Sequence, residues 1–590
     1  MSHSSKATRI PWLSQSVLLL PLVLVLLFPF TAALSSPTTG TKTKASTPQY
    51  DYNAPGLSIG GADMAAYSKG HVASTKDYEP MALNLSDDAQ SLLPSDFPIG
   101  TFYKNGPGGY RSEDGTPYLH PFDCNGKILA LTLDADKQQA VYRYKHIETP
   151  KYQQDCATGT MSERGFFGTQ RSGGWLGNIF QGMDPKNPAN TAVLLTDDQQ
   201  QLFALWEAGR PFAMDPLTLE TKGEEFCGFL DTQTSFSAHP RYDPKAKTYT
   251  NFCTRRPAPG EETSTVTFQE VDSSTFQSNK NGLKLELPGI IMTHDMVLSE
   301  NHIVFPWVEA KVNGPNALKA ILGLLPPFAL VETLPLDMVR YIVIPRDLLS
   351  EQVITVEDVF ADDRIKIVEA PFHMAVHFTN AYETNDNNLV FEAACLVGKS
   401  HSYGVDEMAS SGKPLWEAFD WDSSDPQQLE QFEIDLDTGK LVQMETIGNE
   451  SIEFVVVPRY RFTRPHDFVF SLGVHKASFD GGKGAISPYG SIRKINLKTK
   501  EQDVFSFAPY EFVHDGDVVP KVGANLDQDE GAVYFVTVIT NGEDLTSDLV
   551  ILDGENIAAG PVTRIRLPEI VPANGLHGYF FEGENRFSFD

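Results

Sequence analysis

Hydrophobic residues beyond residue 95 fall in short runs separated by polar turns. The runs Ala192–Leu195, Gln201–Trp206, Ile303–Val308, Arg340–Ile344, Leu389–Glu392, Phe454–Val457 and Val533–Val538 are rich in β-branched and aromatic residues, which predicts strands. A turn pattern recurs between such runs, with Asp or Asn ahead of a Thr-containing turn. It reads Asp215-Pro216-Leu217-Thr218, Asp435-Leu436-Asp437-Thr438-Gly439 and Asn496-Leu497-Lys498-Thr499. The Asp or Asn side chain can bond the turn backbone, and Gly439 can take positive φ. A hairpin repeated over several hundred residues implies a propeller, a solenoid or a set of sandwiches. The copies are too degenerate to count. Helical pattern is scarce. The clearest helix is predicted over Asn316–Leu325, followed by Pro326-Pro327. The apolar residues Ile321, Leu322, Leu324, Leu325, Phe328 and Leu330 crowd this insert. It is either a helix packed on the body of the fold or a lip that dips into a membrane.

Composition narrows the class. Of 590 residues, 41% are hydrophobic and 21% charged, which is a globular balance. Gly and Pro, at 45 and 39, supply the turns of an all-β protein. The net charge of −30 repels a phosphate backbone and argues against nucleic acid as a partner. The five cysteines contain no CxxC pair, so a thiolate zinc cage is excluded. A dense disulfide framework is excluded too, which leaves room for one or two bridges.

The N-terminus carries an address. Lys6 and Arg9 precede an apolar run, Val17–Phe30, broken by Pro21 and Pro29. The run is short against the roughly 20 residues a spanning helix needs. With small residues at Thr31-Ala32-Ala33 it reads as a cleavable secretory signal over residues 1–33, the alternative being a signal anchor. Residues 34–60 form a Ser/Thr-rich linker, or a transit segment of the kind that follows a signal in complex plastids. Secretion, a lumenal location or a complex plastid are the destinations this leaves open.

Among 14 histidines, four stand in distinctive settings: His239 in Ser237-Ala238-His239-Pro240-Arg241, His294 in Thr293-His294-Asp295-Met296, His377 before Phe378-Thr379-Asn380-Ala381-Tyr382-Glu383, and His577 in Gly575-Leu576-His577-Gly578. They are too far apart in sequence to come from one helix or hairpin. They can converge if each ends an inner strand of a closed β-structure.

These contexts resemble the carotenoid cleavage oxygenase family, which also includes stilbene-cleaving dioxygenases and the retinoid isomerase of the vertebrate eye. Further matching stretches are Gly100-Thr101-Phe102-Tyr103-Lys104-Asn105-Gly106-Pro107, His120-Pro121-Phe122-Asp123, Leu205-Trp206-Glu207-Ala208-Gly209 and Val343-Ile344-Pro345-Arg346. The resemblance covers residues 85–590. It implies an all-β, seven-bladed propeller with a helical and loop cap on one face and Fe(II) on the axis. It implies His239, His294, His377 and His577 as the iron ligands. His373 competes with His377, but only His377 stands three residues before the Asn-small-Tyr-Glu stretch. The resemblance also implies carboxylates behind the ligands, at Glu207 and Glu453. The third such position holds Asp515, with Asp517 near it, where the family has Glu. The shorter side chain puts a direct bond to a His in question. Cys124 and Asn125 depart as well, from a Gly and an acid.

The chemistry so implied is cleavage of a conjugated double bond of a carotenoid or apocarotenoid by O2, giving aldehyde or ketone products. Imidazole suits Fe(II), and four neutral ligands leave its charge intact. Phe236, Phe372 and Phe378, beside the ligands, are candidate walls for the polyene. Stilbene cleavage and polyene isomerisation are rivals on the same fold. A secreted, non-catalytic binding propeller is a rival from another class. The apolar insert implies peripheral contact with a membrane.

Overall fold

The computed structural model describes residues 56–587, apart from 73–74, 182–185, 258–260, 279–281, 334–337, 351–353, 397–407, 409–410, 422–425, 449, 476–487 and 585. The expected signal, residues 1–33, and residues 34–55 of the Ser/Thr-rich segment lie outside the described residues.

Seven antiparallel sheets of four or five strands succeed one another along the chain. They are the blades of a propeller, and the first strand of six of them lies against a counterpart in an adjacent blade. These inner strands are Ala192–Leu195, Arg241–Asp243, Val297–Leu298, Met374–Glu383, Ile452–Val456 and Glu511–Pro520. The inner strand of the remaining blade is C-terminal. Gly578–Glu582 pairs antiparallel with Gly100–Lys104, with Gly578 opposite Lys104, and so closes the ring. The pairing covers the inner edge of Gly100–Lys104 and ties the two ends of the chain into one blade. Each predicted strand is present, most of them as the longer strands Met338–Pro345, Asn388–Leu396 and Val533–Asn541 or within a residue or two of the expected ends.

In a four-stranded antiparallel blade, the turns between strands one and two and between three and four fall on one face. The second turn and the crossing to the next blade fall on the other. Short Asx turns fill the first face. Asp215, Asp435 and Asn496 each accept two backbone N–H groups from the residues two and three further on, at 2.8–3.0 Å. Asp243 and Asp272 make the same turn. In all five the fourth residue on has positive φ: Leu219 59°, Lys247 56°, Phe276 55°, Gly439 66° and Lys500 64°. Only one of the five is Gly, which hid the repeat in the sequence. The long insertions fall on the opposite face and build the cap, including helices Pro150–Thr158, Gly174–Asn178 and Gly314–Ile321.

The insert helix differs from expectation. It starts at Gly314, because Asn313 caps it through Asn316 N–H at 3.1 Å, and it ends at Ile321. Gly323, at φ +71°, turns the chain back. All five cysteines are free, four of them buried, so no bridge is present. Cys124 has φ −68°, a conformation that needs no Gly, so the departure there is accommodated locally. Asp123 beside it accepts the N–H groups of Phe167, Gly168 and Thr169, each at 2.9 Å, and holds a cap loop.

Candidate metal centre

One residue from each blade belongs to the histidine cluster or contacts its members and their carboxylates. The start of each inner strand supplies it: Thr191, His239, His294, His377, Glu453, Asp515 and His577. Each is on the strand or within three residues of its first position. That regularity explains why the four histidines are so scattered along the chain. They are neighbours in the ring, not in sequence.

The four imidazoles form one cluster, with ligand atoms all within 4.8 Å of one another. His239 Nε2 lies 3.0 Å from His294 Nε2, which lies 3.1 Å from His377 Nε2. Carboxylates stand behind three of the rings. Glu453 is 2.7–2.8 Å from His377 Nδ1, Asp515 is 2.8 Å from His577 Nδ1, and Glu207 is 3.6 Å from His294 Nδ1. A carboxylate accepts, so each Nδ1 is the donor and each Nε2 is left with a lone pair. The lone pairs of His294 and His377 face each other at 3.1 Å and repel unless a cation lies between them. Four neutral nitrogens suit a borderline transition metal such as Fe(II). Asp515 makes its bond directly despite its length, because its strand approaches His577 closely. Lys104, buried in the adjoining blade, donates to the carbonyls of Asp515 (3.2 Å) and Leu576 and pulls the two segments together.

Electrostatics fit a cage of buried bases. Burial, followed by the neighbouring imidazoles, holds His239 and His577 well below the usual histidine range. Burial pulls His377 the same way, but the charge and hydrogen bond of Glu453, with the charges of Asp295 and Asp515, together outweigh it and raise the ring. Glu207 is lowered: burial is the largest influence and raises it, but His294, a backbone N–H and the His577 ring together outweigh burial. Burial pushes the Asp515 carboxyl up to about 7. The cluster is more open beside His294 and Glu207, whose side chains are 22% and 25% exposed, than beside His577 at 7%. His373 is not in the cluster. It is buried, with Nδ1 on the Pro371 carbonyl at 2.7 Å and Nε2 on the Tyr341 hydroxyl.

The aromatic walls are not where sequence adjacency put them. Phe378 follows His377 on a strand, and successive side chains point to opposite faces. It is buried against Tyr341 and Phe391, away from the axis. Phe236 is 1% exposed and packs on Phe276 between blades. Phe372 is half-buried, on the segment entering the strand of His377. The ring that does face the cluster is Phe454. It lies 5.4 Å from His377, near parallel, and 5.5 Å from His577. Its φ of +52° and the register shift after Glu453 break the alternation and turn the ring to the axis. Thr191 was missed too. Its carbonyl accepts the His577 N–H at 3.1 Å, and its hydroxyl lies 3.5 Å from Glu207.

A closed seven-bladed propeller with four axial histidines is the architecture of a metal-dependent oxygenase. Residues 83–582 match the retinal pigment epithelial membrane protein family (RPE65), and the chain belongs to that family. It is 28% identical to the apocarotenoid-15,15'-oxygenase of Synechocystis over 83% of this chain and 92% of that one. The lignostilbene-alpha,beta-dioxygenase isozyme III of Sphingomonas paucimobilis is 27% identical over 74% of this chain and 82% of its own. Cobalt-substituted Synechocystis ACO superposes with a TM-score of 0.74 at 26% identity, covering 88% of this chain and 99% of that one. The chain is thus an oxygenase and not a non-catalytic binding propeller.

Proposed function

We propose that this protein is a non-haem Fe(II) dioxygenase that cleaves a conjugated double bond of a carotenoid or apocarotenoid. The alkene and O2 give two carbonyl products. The observation that carries this reading is the convergence of four imidazole nitrogens backed by Glu207, Glu453 and Asp515. Fe(II), when bound, supplies the electron transfer that O2 needs to react with a closed-shell alkene. His239, His294, His377 and His577 would hold it. Glu453 and Asp515 fix the ring orientations, and Phe454 offers a flat apolar surface to a polyene beside His377 and His577.

The cap supports a lipid-like substrate. Trp175 (50%), Leu176 (68%), Phe180 (59%) and Leu324 (57%) are exposed and belong to two segments in direct contact, where Phe180 N–H donates to the Ile321 carbonyl. A contiguous apolar surface of this kind suits peripheral contact with a bilayer that stores the substrate. No described helix is long and apolar enough to cross a membrane. In this reading residues 1–33 lead the chain into the secretory pathway, which N-terminal sequencing of the mature protein checks.

Mass spectrometry of products from a panel of carotenoids, apocarotenoids and stilbenes, with and without Fe(II), tests the proposal. Iron-dependent aldehydes or ketones from a polyene are expected. Turnover of stilbenes alone, or isomerised polyene without cleavage, would overturn it.

A further inference from the structure

Residues 56–72 precede the family-matched region, which starts at residue 83. They nonetheless reach the loop that delivers His577. Ser58–Ile59 and Ala62–Asp63 form a small hairpin. Asp63 then caps the helix Met64–Lys69, accepting the N–H groups of Ala65 and Ala66, both at 3.0 Å. The helix sits tightly on the blade below: a Cβ at Gly542 would come within 2.0 Å of the Ala66 carbonyl.

The helix and the turn after it grip Asn574. The Tyr67 hydroxyl donates to Asn574 Oδ1. His71 Nδ1 lies 2.8 Å from the Tyr67 carbonyl, and its Nε2 lies 2.9 Å from Asn574 Nδ2. A carbonyl only accepts, so Nδ1 bears the proton and Nε2 accepts from the Asn574 amide. Both ends of that amide are thereby occupied. The Ala573 N–H donates to the Gly70 carbonyl at 3.0 Å, and the Tyr110 hydroxyl donates to the Ala573 carbonyl at 3.0 Å. The His71 ring stacks on Trp416 with centroids 4.0 Å apart and planes 10° off parallel. Burial depresses His71 to about 3, so the ring stays neutral and keeps its acceptor. Asn574 itself has φ +62°, a conformation the grip must hold. Three residues on, His577 enters the cluster.

We infer that Tyr67 and His71 are positioning residues for the metal centre, and that residues 56–72 are a strap that sets His577 through Asn574. The inference rests on the metal reading above. A merely structural strap would support the fold without altering the metal. A positioning strap must alter the metal when one hydroxyl is lost.

Tyr67→Phe removes only that hydroxyl, and Asn574→Gly removes the gripped amide while tolerating positive φ. Co(II) is titrated into the metal-freed full-length protein, with affinity read by chelator competition and geometry by the visible d–d bands. Each variant should bind Co(II) about 10-fold more weakly, the lower end for supporting groups of a ligand. The double variant should be little worse than either single one, since the two act as a unit. The d–d bands should shift while the melting of the metal-free protein barely moves. Wild-type affinity and spectrum in both variants overturn the strap, and so does a lowered melting temperature with unchanged affinity. A wild type that binds no Co(II) overturns the proposed function and the strap together. If Asn574→Gly does not fold, Tyr67→Phe decides.

Discussion

Asp515 Oδ2 stands 2.8 Å from His577 Nδ1, although the two come from different blades and the second reaches its place only by closing the ring. Lys104, from the strand that receives the closing strand, ties the carbonyls beside both. The metal centre and the closure of the propeller are therefore one structure. Replacing Asp515 with Asn keeps the shape and removes the charge. Metal affinity and turnover should fall about 10–100-fold. Metal content by mass spectrometry, beside O2 uptake, reads both.

His239→Ala, His294→Ala, His377→Ala and His577→Ala should each abolish activity and reduce bound iron. His373→Ala should leave the iron in place, since that ring bonds Tyr341 and Pro371 instead. Iron analysis of the five purified variants checks the assignment.

Glu207 is the most loosely held of the carboxylates, at 3.6 Å from its histidine. Glu207→Gln should fold and lose activity toward the lower end of the about 10–100-fold range. A loss matching that of Glu453→Gln in side-by-side kinetics would contradict the ranking.

Phe454 occupies a conformation that favours Gly, at φ +52°. A side chain there costs roughly 1–2 kcal/mol. Phe454→Gly relieves that strain and forfeits a half-buried ring, so melting should change little. Product analysis should show cleavage spread over more than one double bond, because the flat surface beside His377 and His577 is gone.

The pH dependence of the metal-free protein carries a sign. His239 and His577 are held well below the ordinary 6.5. As pH falls through about 6.5 the unfolded chain binds those protons and the folded chain does not, so stability falls with pH. Asp515, pushed up to about 7 from 3.8, works in reverse and takes stability away as pH rises across that window. Thermal scans of metal-free His239→Phe should therefore lose less between pH 7 and 5 than the wild type does.

The apolar cap separates into two parts. Leu324 is exposed, whereas Phe328 is half-buried with its ring stacked on Phe167 at 5.0 Å. Leu324→Ser with Leu176→Ser should leave melting unchanged and weaken liposome binding. Phe328→Ser should lower the melting temperature, losing part of the roughly 3–5 kcal/mol that a buried Phe contributes.

Strand runs, turn chemistry and the settings of the four histidines were legible in the sequence because each is local. Strand periodicity, an Asx side chain bonding its own turn and a motif of a few residues all act within a short stretch of chain. The sequence therefore determined an all-β repeat, the ligand histidines as candidates and the positions of their three carboxylates, with only the bond of Asp515 left in question. Tertiary structure laid out the seven blades that the family resemblance implied and the repeat had left uncounted, since positive φ at Leu219, Lys247, Phe276 and Lys500 replaced the Gly that would have marked the repeat. It also decided that Asp515 reaches His577, which depends on how closely two strands from different blades approach. Adjacency misled on the aromatic walls for the opposite reason. The pleat sends Phe378 away from the axis beside His377, and a broken register brings Phe454 in. Distances across a ring are set by closure, and closure involves the two ends of the chain at once.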